Sequence, residues 1–187
     1  MSKTMEMLQT EHRNMSKLLD LLERQVDLFE EGGEVDYDLL GEIIDYFRSY
    51  TDLYHHSKED LVFESLIKRD PEAAVTMGDL EAAHDKVNDY LNRFTHAVVN
   101  VLLGKNVARS AFIAIARDFL DGERRHMTLE ETIFFPAAKK ALTDEDWKEI
   151  DARVAKFRDP LHENVPIHRF ERVQKELAAE GSYPNLL

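Results

Sequence analysis

The sequence predicts an all-α fold: an up-down-up-down four-helix bundle with an internal two-fold repeat, followed by a C-terminal helical appendage. Three observations predict it. Glycine and proline are sparse, at seven and five in 187 residues, and a chain 43% hydrophobic and 33% charged suits amphipathic helices. Apolar residues recur at steps of three and four through four long stretches joined by short connections. The stripe of the first stretch then returns in the third, 72 residues later.

The first helix is expected from Lys3 to Glu31, with Met5, Leu8, Met15, Leu19, Leu22 and Val26 inward and Gly32-Gly33 as its stop. His12 falls four after Leu8 and three before Met15, so it also points inward. Asp36 is a suitable N-cap for the second helix, whose inner side reads Leu40, Ile44, Phe47, His55, Glu59, Val62 and Leu66. Asp70-Pro71 breaks that helix, because a residue before proline disfavours helical backbone and proline suits a new first turn. The third helix is expected from about Glu72 to Leu103, bent near Gly78, with Leu80, Val87, Leu91, Phe94, Val98 and Leu102 inward. After Gly104 the fourth runs from about Asn106 to Ala141 through Ile115, Phe119, His126, Glu130 and Ile133.

Shifting the first helix by 72 residues lays Leu8, His12, Met15, Leu19, Leu22 and Val26 on Leu80, His84, Val87, Leu91, Phe94 and Val98. The bundle should therefore occupy residues 1–142. Beyond it, Thr143 to Asp146 resembles a capping box, with Asp where Glu or Gln is usual, opening a short helix that holds Trp147 and Ile150. Pro160 and Pro166 mark a loop, and Phe170, Val173 and Leu177 predict a last helix that ends near Gly181. Residues 143–187 read as an extension packed on the bundle.

Composition narrows the function. Without cysteine, disulfides, iron–sulfur clusters and thiolate zinc sites are excluded, and any metal must be held by nitrogen and oxygen. A formal net charge of −13 disfavours nucleic acid and anionic membranes as partners. No apolar run approaches the ~20 residues that cross a bilayer. The N-terminus lacks the uninterrupted apolar core of a secretory signal, so the expected address is cytoplasmic.

The repeat also carries chemistry. His12 pairs with His84, His55 with His126 and Glu59 with Glu130, at steps of 72, 71 and 71 residues. Residues four apart share a helix face, so His55 with Glu59 and His126 with Glu130 each grip one space, and the lone histidines approach from the opposing helices. Four imidazoles and two carboxylates suit a pair of first-row metal ions. Carboxylates buried without cations would be costly. Each part alone has a plainer reading, as a hydrogen-bonded core histidine or a surface His-x-x-x-Glu pair; two symmetric copies favour metal. His56 and Asp60 repeat the spacing of His55 and Glu59, so that motif is ambiguous. The repeat favours His55, since His56 falls opposite Met127, and leaves His56 beside the ligands or merely exposed.

A second pattern competes. Glu81-x-x-His84 and Glu123-x-x-His126 fit the Glu-x-x-His motif of ferritin-like carboxylate bundles, and Asp52 precedes His55 by three. Those bundles need a lone inward Glu on each of the other two helices, where this chain has histidine. Glu81, Asp52 and Glu123 are therefore placed outside the ligand set, as acceptors for a ligand imidazole or as helix-surface charges. His96, His162 and His168 have no repeat partner and read as surface or packing residues; Phe63 and Phe134 read as core.

TEH at 10–12, HHSKEDLVF at 55–63, the lone His84 and HMTLEETIFFP at 126–136 resemble the hemerythrin-like, HHE cation-binding family over about residues 4–141. The resemblance implies a four-helix bundle with a non-haem di-iron centre, two iron ions bridged by oxo or hydroxo. It implies His12, His55, Glu59, His84, His126 and Glu130 as metal ligands, both glutamates bridging. Oxygen-carrying members have a further histidine one turn after the third-helix ligand, where this chain has Asn88. Six protein ligands and one bridge leave about two of some twelve octahedral positions open, against about one in the carriers. Such openness favours reaction or sensing over reversible storage. The expected function is thus binding of dioxygen, peroxide or nitric oxide for sensing, redox defence or iron handling. A di-iron peroxidase or oxidase is an alternative, with Tyr50, Tyr54 and Tyr90 as redox phenols but no dedicated catalytic acid, base or pocket assigned. A helical scaffold that meets a partner through its C-terminal extension is another.

Overall fold

The computed structural model describes residues 2–77, 80–155 and 170–179. The expected bend near Gly78, the Pro160 and Pro166 loop, His162, His168 and Gly181 fall outside these residues, as does the side chain of Asp52. The chain is an all-α bundle, and no strand occurs among the described residues.

Helix α1 spans Lys3–Glu31, opened by the Ser2 hydroxyl on the Met5 amide and closed by Gly32 at φ 78°, a left-handed turn that glycine adopts without a Cβ clash. The second rod is continuous: α2 Tyr37–Tyr46, a π-helical stretch π1 Phe47–His55, and α3 His56–Arg69, with right-handed helical dihedrals at both junctions. Asp36 caps it through the Leu39 amide, as its position predicts. After Asp70 come α4 Pro71–Met77 and α5 Leu80–Leu102. The fourth rod is α6 Arg109–Leu129, π2 Glu130–Phe134 and α7 Phe135–Ala141. Helix α1 packs on α2 and α6, α6 on α5, and α5 on π1 and α3, which closes the four-rod ring.

Three expectations need correction. The fourth rod starts at Arg109, not Asn106: Ala108 is still extended at its N-cap, and Val107 turns onto the core instead of into a first turn. Ile133 and Leu102 are both exposed. For Ile133 the cause is π2, where the Phe135 amide reaches back five residues to the Glu130 carbonyl. The added residue per turn rotates Phe134 and Phe135 inward in its place, and both are fully buried. Pro136 follows directly; having no N–H, it could not continue an unbroken α-helical ladder. Leu102 simply lies past the last core layer, one turn beyond Val98.

Helix α8, Asp144–Val154, opens with the capping box between Thr143 and Asp146 and packs on α1 and α3. Helix α9, Glu171–Ala179, packs on α2. Arg172 fastens it there, donating to Asp36 and Asp38 at 2.7 and 2.9 Å.

The apolar interior is split in two. One cluster gathers Met5, Leu8, Val62, Leu66, Leu80, Phe134 and Phe135 with Ile150 and Val154 of α8. The other runs from Met15 through Leu22, Phe47, Tyr50, Leu91, Phe94 and Phe119 to Phe170, Val173 and Leu177. Between them, at the depth of His12, His55, His84 and His126, lies a buried polar layer.

Candidate metal centre

All six residues singled out by the repeat come together in that layer. His12, His55, Glu59, His84, His126 and Glu130 are all less than a tenth exposed, the two glutamates completely buried. His12 Nε2 and His55 Nε2 face each other at 3.1 Å, and both point at Glu59 Oε1, at 3.5 and 3.4 Å. On the other side His84 Nε2 lies 3.4 Å from Glu59 Oε2 and 3.6 Å from Glu130 Oε1, and His126 Nε2 lies 3.1 Å from Glu130 Oε1. Glu130 Oε2 returns to His12 Nε2 at 3.4 Å. Each carboxylate therefore has one oxygen toward His12 and one toward His84.

None of the four glutamate oxygens receives a hydrogen bond, nor do the Nε2 atoms of His84 and His126. Buried polar atoms are ordinarily paired, and a buried carboxylate with neither oxygen satisfied is costly. Two groups of potential ligand atoms, His12, His55 and Glu59, and His56, Glu59, His84 and His126, each lie within 4.8 Å of one another. The orphaned oxygens and nitrogens fit divalent first-row metals, which would be held between the histidines and the two shared carboxylates.

Two outer carboxylates set the imidazole orientation. His55 Nδ1–H donates to Glu11 Oε2 at 2.8 Å, and His12 Nδ1–H donates to Glu131 Oε1 at 3.1 Å. With Nδ1 donating, Nε2 is the atom turned inward. Glu11 is itself buried and held by the Tyr50 hydroxyl at 2.7 Å and by the Lys58 ammonium, which also donates to Tyr50 at 2.7 Å. Lys58 is completely buried, and pairing with Glu11 is what makes that tolerable.

In the protein alone, the buried imidazoles and carboxylates shift one another's proton affinity. Burial works against charge at every group, and the neighbours decide the outcome. Despite burial, Glu130, Glu131 and Glu59 raise His12 well above the usual histidine range. His55 is raised to about 9 by Glu59 and Glu11, and His84 to about 10 by Glu130 and Glu59, again against burial. Only one proton fits between the facing Nε2 atoms of His12 and His55, so that pair holds its charge in common. Glu59, although buried, is held well below the carboxylate range by His55, His12 and His84. His126 is lowered by burial, with His84 adding to it. Glu11 is lowered too, since His55 and Lys58 outweigh its burial.

Of the carboxylates set aside, Glu81 is exposed, whereas Glu123 is buried and one of its oxygens has no partner. Burial, with the charge of Glu130 second, raises Glu123 to about 7; it is not the surface charge that was one reading of it. His56 is not exposed either: at 3% it is as buried as the four histidines of the repeat, stacked on His84 at 3.9 Å, with neither ring nitrogen bonded. The repeat passed over it because its counterpart is Met127. Glu11 and Lys58 were also missed, although Glu11 adjoins His12 and Lys58 falls three after His55, on the same helix face. His96 is exposed; Phe63 and Phe134 pack edge to face in the apolar cluster. No helix among the described residues is long and apolar enough to cross a membrane.

No curated protein sequence matches the chain significantly. A family model described as hemerythrin HHE cation binding domain matches residues 4–138, the whole of the polar layer included. The chain belongs to the hemerythrin HHE cation-binding family.

Proposed function

We propose that the chain is a non-haem di-iron protein that binds dioxygen, peroxide or nitric oxide for sensing, redox defence or iron handling, with His12, His55, Glu59, His84, His126 and Glu130 as its metal ligands. One observation carries the reading: Glu59 and Glu130 each divide their two unpartnered oxygens between His12 and His84. Carboxylates so placed could each serve two cations at once, whereas a single cation would leave half of each carboxylate unsatisfied. Iron would supply redox change and open coordination positions for a small ligand. The chain's own residues hold the centre rigid: Glu11 and Glu131 fix the imidazoles, and the two apolar clusters exclude water from both sides.

The bundle of residues 1–142 is the binding unit in this reading, and helices α8 and α9 of the extension pack on it. Anaerobic ferrous protein titrated separately with dioxygen, peroxide and nitric oxide tests it. Saturable spectral change with at least one of them supports the reading, and no change with any contradicts it. Sustained peroxide consumption would favour the peroxidase alternative. Tyr50 is linked to that chemistry through Glu11 to His55. Tyr90 instead lies against Gly122, where an added Cβ would come within 2.6 Å of its ring.

A further inference from the structure

A pocket of about 530 Å³ opens beside the polar layer, lined among others by His56, Asp60, Glu81, His84, Asp85 and Asn88. Asp60, Glu81 and Asp85 are exposed at its mouth; Asp60 lies 3.7 Å from His84 Nδ1, and no lysine or arginine pairs with any of the three among the described contacts. Glu64, also on the rim, is already neutralised by Lys68 and Arg153. At the inner end sits His56, 3% exposed, with both ring nitrogens unpartnered. It shares a potential ligand group with Glu59, His84 and His126. Adjacent helix residues point about 100° apart, which sends His55 toward His12 and His56 toward His84.

We infer that this pocket is the uptake route for divalent cations, and that His56 is the transfer ligand that receives a cation from the acidic mouth and passes it to Glu59 and His84. The inference rests on the metal-centre reading above. Three carboxylates around a concave mouth concentrate cations and speed their arrival. A hydrated cation must then shed water before reaching a dry site, and a buried imidazole with free lone pairs offers the first replacement ligand. The partial stacking of His56 on His84 places the giving and receiving rings in contact.

The test uses the metal-free full chain and cobalt(II) as probe, with uptake followed by visible absorption in a stopped-flow instrument and by final cobalt per chain. The triple variant Asp60→Asn, Glu81→Gln, Asp85→Asn should load about tenfold more slowly at low salt and reach the same final content. Added salt should slow the wild type and leave the variant nearly unchanged. His56→Leu should load slowly at every salt concentration, again to the same endpoint. Equal rates for wild type and variants, with full uptake, would overturn the route and leave the metal centre standing. A reduced endpoint in His56→Leu would make His56 a resident ligand and overturn the transfer role. A wild type that takes up no cobalt would sink the metal-centre reading, and the route with it.

Discussion

His55 Nδ1 donates a 2.8 Å hydrogen bond to Glu11 Oε2, joining the second rod to the first on the side of the imidazole away from Glu59 and His12. Removing the negative charge of that acceptor should loosen the centre without dismantling it. For Glu11→Gln, metal affinity is expected to fall about 10- to 100-fold, and stability to fall with it, because buried Lys58 loses its counter-charge. Competition against a chelator measures the affinity, and circular dichroism checks the helix content. Unchanged affinity would reduce Glu11 to a packing residue.

The protonated histidines give a signed pH dependence. His55 at about 9 and His84 at about 10 stand above the ordinary 6.5, so their protonation stabilises the metal-free fold fully below 6.5. That contribution falls as pH rises from 6.5 and is gone once pH has passed 9 to 10. Thermal melts of metal-free protein should show Tm falling over this range. Metal ligation needs Nε2 free, so loading at pH 7 should release protons and affinity should rise with pH. Calorimetry in buffers of different ionisation enthalpy counts those protons; zero release would contradict the assignment of His12, His55 and His84.

Gly122 lets α5 and α6 approach closely, with the Tyr90 ring against its backbone. Gly122→Ala gains helix propensity of about 1 kcal/mol, yet its Cβ would meet a ring atom at 2.6 Å. Overpacking of about 1–3 kcal/mol should win, giving a net loss in denaturant unfolding. A stabilised variant would show that Tyr90 can swing aside freely.

Ile150 and Val154 complete one apolar cluster, and Phe170, Val173 and Leu177 the other. Deleting residues 143–187 should therefore expose both ends of the core and cause aggregation, read by size-exclusion chromatography. A soluble, monodisperse truncation with normal metal content would instead assign the extension a separate role.

Much of this was legible in the sequence, for identifiable reasons. The stripe shared by α1 and α5 fixes the inward register of His12 and His84, and every member of it is buried. Asp36 and Thr143 are read correctly because capping is local chemistry. Periodicity fails where the backbone departs from 3.6 residues per turn. Both π stretches adjoin the centre, π1 ending at His55 and π2 beginning at Glu130, and no pattern of apolar residues announces them. Ile133 was misplaced for that reason. Glu11 and Lys58 escaped for another: the internal repeat weighs only residues that recur, and these two do not, while for His56 it left open the buried position beside His84 that the structure shows.

The central claim is that Glu59 and Glu130 bridge two metal ions, and elemental analysis of protein purified without chelator tests it most directly. The account predicts about two irons per chain in the wild type, the count that bundles of this kind hold, and loss of the pair in both Glu59→Gln and Glu130→Gln. No stoichiometric metal in the wild type, or a full pair retained in both variants, would contradict it.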